Sequence, residues 1–159
     1  INENSRPFHY FFKDSLARSS VMIYDGHSGL GGHLDLKSIA QINGFRIPLN
    51  KNQYQIFFFN SCTSYTYYNA LYFREKVSKR AKKYSYIDSK GSKNLDILAN
   101  GLSTAFDENQ NNDLTLIRAI DLWVSKGTWT TYKTLAKRID TENLFTVNGD
   151  EDNPTTPVR

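Results

Sequence analysis

Gln53-Tyr54-Gln55-Ile56-Phe57-Phe58-Phe59-Asn60 runs without a break into Ser61-Cys62-Thr63-Ser64. Ile56 to Phe59 are apolar in succession, with no polar alternation. A strand of that kind is buried on both faces, as in a parallel sheet covered by helices on each side. The small polar residues after it turn the chain, and an aromatic segment leads into a helix expected to run to about Lys83. Toward the N-terminus, Val21-Met22-Ile23-Tyr24 is a second short β-branched run, ending at Asp25-Gly26. It delivers the chain into a turn, Asp25 to His33, that holds Gly26, Gly29, Gly31 and Gly32. Before it, Phe8, Phe11, Phe12 and Leu16 recur at helical spacing.

The later elements follow the same logic. Leu36 to Ile42 reads as a short helix closed by Asn43-Gly44. Leu95 to Ala99 is a third strand, broken at Asn100-Gly101. Asp113 is expected to cap a helix that carries Leu114, Ile117, Ile120 and Val124 on one side. Tyr132, Leu135, Ala136 and Ile139 mark a last helix, and Leu144 to Val147 a final strand. Strands separated by helices imply an α/β domain with a mainly parallel sheet. We take residues 1–148 as that domain and 149–159 as an acidic, proline-containing tail.

At 159 residues the chain has the size of about one domain. Its 39% hydrophobic and 23% charged residues exclude a disordered, collagen-like or coiled-coil chain. No apolar run approaches the roughly 18 residues of a membrane span, and residues 1–7 contain no signal-peptide core. One cysteine excludes an internal disulfide and any multi-cysteine metal site. No cofactor is expected.

In doubly covered parallel sheets, ligands bind at the carboxyl ends of the strands. Both the glycine-rich turn with His27 and the small-residue turn with Cys62 lie there. If their strands are neighbours, roughly 4.8 Å apart, thiol and imidazole open onto one crevice. A cysteine nucleophile needs a base, and the start of a helix favours its thiolate. Backbone N–H groups of Cys62 and of the turn after His27 would serve the oxyanion of acyl transfer. Cys62 as a small buried hydrophobe and His27 as a structural residue are the competing readings. His33 is a second candidate base, and His9 is assigned to the first helix.

The paired patterns Asp25-Gly26-His27-Ser28-Gly29 and Asn60-Ser61-Cys62-Thr63-Ser64, each after a strand, resemble those of the caspase-like cysteine peptidases, the group of caspases, legumain, clostripain, gingipains and separase. The resemblance covers Val21 to Tyr65. It implies a three-layer α-β-α sandwich, a Cys62 nucleophile, a His27 general acid and base, and an oxyanion hole built from the N–H groups of Ser28, Gly29 and Cys62. One departure is Ser28, where the group usually has glycine. Ser61, Asn100, Gly101 and Asp107 are the implied substrate-binding positions, and Asp107 with Glu108 gives a lean to basic P1 side chains. The partner is then a protein or peptide substrate. The alternative is an inactive domain of the same fold that holds a protein partner on Tyr65, Tyr67 and Tyr68.

Other signals fail. Gly29-x-Gly31 lacks the third glycine of a dinucleotide turn, and no Gly-Lys-Ser/Thr follows. His27, His33, Asp25 and Asp35 match no metal-ligand spacing. Arg74, Lys76, Lys79, Arg80, Lys82 and Lys83, beside Tyr84 and Tyr86, read as a solvated helix face rather than a nucleic-acid surface. The resemblance also implies two further strands beyond Val21 to Tyr24. A companion chain of the same precursor, or an upstream segment, is expected to supply them.

Overall fold

A computed structural model describes residues 4–76, 94–104, 106–139 and 144–150, with the side chains of 106–109 outside the description. Four strands form one sheet in the order β1-β2-β3-β4: β1 (Val21–Asp25), β2 (Gln55–Asn60), β3 (Leu95–Asn100) and β4 (Phe145–Asn148). The first three are parallel and β4 runs antiparallel to β3. The expected α/β class and all four strands are therefore present, and β1 lies at an edge.

Helices cover both faces. On one face α1 (Arg6–Arg18), α2 (Leu36–Asn43) and α3 (Ser64–Lys76) close over Met22, Tyr24, Phe57, Phe59 and Ile97, with Phe12, Leu16, Ile39 and Phe73 in the same core. On the other, α4 (Phe106–Lys126) and α5 (Tyr132–Ala136) cover Phe58 and Leu98 through Leu116 and Leu135, joined by Ile139, which lies past the end of α5 rather than on it as the spacing implied. Phe58 meets Phe145 edge-on at 5.7 Å. A strand that feeds one core with Phe57 and Phe59 and the other with Phe58 cannot alternate apolar and polar, which is why β2 reads as a solid apolar run.

Local chemistry sets the ends. Ser5 caps α1 and Asp35 caps α2, each side chain accepting a backbone N–H. Gly44, at φ 66°, ends α2 in the left-handed conformation that glycine tolerates.

Four expectations need correction. Helix α4 begins at Phe106, so Asp113 lies inside it rather than capping it. Its inward residues are Asn112 and Leu116, with Ala119 and Ile120 partly buried, whereas Leu114, Ile117 and Val124 are exposed. Tyr68 is fully buried, so it cannot belong to an aromatic surface with Tyr65. Lys76 is fully buried, so it does not belong to the solvated helix face; the basic run from Lys79 onward, with Tyr84 and Tyr86, and the tail beyond Asp150 lie outside the described residues. No helix among the described residues is long and apolar enough to cross a membrane.

Candidate active site at the strand carboxyl ends

The register pairs Asp25 of β1 with Asn60 of β2. The turns carrying His27 and Cys62 consequently leave the same edge of the sheet from adjacent strands. Cys62 is partly buried and lies two residues before α3. Thr63, next to it, takes φ 52°. That region is strained for a β-branched residue, and such strain concentrates at functional turns. The Thr63 N–H donates to Leu102 O at 2.9 Å, pinning the turn onto the loop after β3.

The thiol is engaged with that same loop. Thr104 N–H donates to Cys62 Sγ at 3.4 Å, and Sγ lies 3.7 Å from Thr104 O and 4.0 Å from its Oγ1. Neither His27 nor His33 is among the hydrogen-bond partners of Sγ within the described residues. The structure thus brings the two turns to one edge without a direct Cys62–His27 hydrogen bond.

His27 is exposed on a turn held firmly from below. Its carbonyl accepts the Tyr24 hydroxyl at 2.6 Å and His33 Nδ1 at 2.9 Å. A carbonyl can only accept, so His33 carries its proton on Nδ1. Ser28 O accepts the N–H groups of Gly31 and His33 and the buried Tyr68 hydroxyl. Gly29 has φ 54°, and a side-chain carbon there would collide with the His33 ring. Among the described residues, the N–H groups of Ser28, Gly29 and Cys62 donate to no protein acceptor.

The other implied positions divide. Ser61 is fully buried, its Oγ without a hydrogen-bond partner among the described residues. Asn100 is also fully buried and donates through Nδ2 to Asn60 Oδ1 at 3.0 Å. The Gly101 N–H is committed to Leu144 O. The Asp107 and Glu108 side chains lie outside the described residues.

Asn60, Asp25 and Asp113 form a polar group that sequence reading missed. Asn60 Nδ2 donates to Asp113 Oδ1 at 2.9 Å. Burial pushes the Asp113 carboxyl up to about 6, against the lowering Asn60 hydrogen bond and with the neighbouring Asp25 adding through its charge and a hydrogen bond. Asp25 ends its strand just before the His27 turn, and that position was the one signal available. Asp113 reaches the group from a helix 53 residues beyond Asn60.

Ser64 joins the two strand ends. Its hydroxyl donates to Phe59 O at 2.6 Å and accepts the Asn100 N–H at 2.9 Å. No cluster of three or more metal-binding side chains occurs among the described residues.

Comparison with known proteins finds no matching family model, no matching curated protein and no matching solved structure.

Proposed function

We propose that the chain is a caspase-like cysteine endopeptidase domain, with Cys62 as nucleophile and His27 as general acid and base. The observation that carries this reading is the trio of N–H groups, from Ser28, Gly29 and Cys62, uncommitted among the described residues, on two turns leaving one sheet edge. Uncommitted backbone donors beside a thiol at a helix start are what acyl transfer requires.

In this reaction the Cys62 thiol gives its proton to His27 and the sulfur bonds to the scissile carbonyl carbon. The carbonyl electron pair moves onto oxygen, where the N–H groups stabilise it. Collapse breaks the C–N bond as His27 returns the proton to the departing amine. Water then attacks the thioester carbon, giving a proton to His27, and the acid leaves as sulfur regains its proton. A basic P1 side chain also suits the Asp25–Asp113 pair beside the His27 turn.

The test is hydrolysis of a peptide library with a thiol-labelling control. The wild-type chain should cleave and lose activity with iodoacetamide, and Cys62→Ala should lose at least about a thousandfold in kcat/KM. Cleavage by Cys62→Ala at the wild-type rate rejects the proposal. The thiol's engagement by Thr104 instead of His27 favours a second reading, a non-catalytic partner-binding domain of the same architecture. A wild-type chain that folds, resists iodoacetamide and cleaves nothing selects it.

A further inference from the structure

At the end of the sheet opposite Cys62, α4, α5 and the loop between them line a half-open cavity of about 120 Å³. The chain has two tryptophans, Trp123 and Trp129, and both line this cavity. They keep 53% and 57% of their surface exposed. Two large rings left half in water beside one cavity mark a binding surface rather than a core.

The backbone that carries the rings is fixed in advance. Gly127, at φ 63°, ends α4 with its own N–H on Trp123 O and the Thr128 N–H on Leu122 O, the paired closure that sets the direction of the following chain. Trp129 comes two residues later. Thr131 then caps α5, so Tyr132, the third aromatic ring on the cavity, stands at the start of a capped helix.

The Tyr132 hydroxyl donates to Asp96 Oδ2, and Tyr54 donates to the same oxygen. Asp96 is fully buried in β3. Burial, then the Asp96 charge, holds the Tyr132 hydroxyl well above its ordinary range, so it remains a donor. A phenol donating to a carboxylate has an electron-rich ring, and electron-rich faces attract cations.

We propose that this cavity binds a quaternary ammonium group, with Trp123, Trp129 and Tyr132 facing its methyls and Asp96 supplying the countercharge through Tyr132. The remaining walls, Ile56, Leu116 and Leu135 among them, are apolar apart from Thr130. With Thr130 the one further polar side chain on the walls, a primary ammonium or guanidinium would enter with more N–H groups than the walls can satisfy. A quaternary group carries none. A neutral apolar guest gains from the walls but nothing from the carboxylate.

Because both tryptophans line the cavity, the intrinsic emission of the whole chain reports on it. Titration with choline should give a saturable emission change. Binding should be at least about tenfold tighter than that of its neutral carbon isostere 3,3-dimethylbutan-1-ol. Trp129→Leu replaces a half-exposed ring and leaves Trp123 to report; it should weaken choline at least about fivefold. Tyr132→Phe should bring choline toward the neutral isostere. Equal affinity for the two compounds, no saturable change with choline, or unchanged choline binding in Trp129→Leu overturns the proposal. A peptide carrying trimethyllysine, titrated alongside, separates the sources: tighter peptide binding assigns the group to a polypeptide, and tighter choline binding to a small molecule. The inference is independent of peptidase activity.

Discussion

Asp113 shows how one side chain ties helix α4 to the sheet edge and makes that tie depend on pH. Its folded value of about 6 lies above the ordinary 3.8, so the folded state holds the proton more tightly than the unfolded chain. The contribution to stability is complete below about 3.8 and is lost as pH rises through about 6. Asp113→Asn keeps an acceptor for Asn60 and removes the titration. In urea unfolding the variant should match the wild type near pH 4 and exceed it near pH 7 by about 1–2 kcal/mol, allowing for screening of this partly exposed group. Equal differences at both pH values would show that the carboxyl does not titrate as described. The placement of Cys62 and His27 in turns just past strands, and of Asn100 at a strand's end, was legible in the sequence because the runs before them are recognisable strands. Thr104 and Asp113 were not. They reach Cys62 and Asn60 from 42 and 53 residues away, through contacts that no local pattern encodes.

At the scale of elements, Gln55 and Lys76 fasten two helix ends to β2. Gln55 Nε2 donates to Leu16 O and Ser19 O at the end of α1, and its Oε1 accepts Lys76 Nζ from the last residue of α3. Lys76 Nζ also donates to Asn50 O and Gln53 O at 2.6 and 2.8 Å. Burial lowers Lys76 to about 8. Lys76→Met would leave three acceptors without this donor and should cost about 2–3 kcal/mol, read as a lower urea midpoint with an unchanged slope. An unaltered midpoint would mean that water replaces the ammonium. Strands were the most legible elements, because a strand feeding two cores is apolar throughout. Helix α4 was misread because its opening turns, Asp107 to Asp113, are entirely polar, and the apolar spacing begins only at Leu114. The buried Asn112 on its inner face carried no apolar signal to correct the register. Tyrosine hides its side in the same way. Tyr68 is core and Tyr65 is surface, and the difference is that the Tyr68 hydroxyl has Ser28 O to donate to.

For the molecule as a whole, the sheet's order leaves β1 paired with β2 alone among the described residues. Ile56 N–H donates to Ser20 O, so Met22 and Tyr24 turn their backbone groups toward β2, while Val21 and Ile23 turn theirs outward. An apolar edge of this kind is a template for another strand. The wild-type chain should therefore sediment faster as its concentration rises, and Val21→Lys should remain at the monomer value. Concentration-independent sedimentation of the wild type would show the edge to be protected. At the opposite side of β2, the Ser64 hydroxyl stands where the ladder's next bond belongs. Gln55 N–H pairs with Asn94 O, and the alternation along β2 would place Phe59 O directly on Asn100 N–H. Instead both bonds pass through Ser64, and the last aligned pair is Phe59 with Ala99. The hydroxyl acts as a wedge one atom thick. It holds β2 and β3 apart at their tips without leaving either backbone group unsatisfied, and the mouth it opens is the span that Cys62 crosses to reach Thr104.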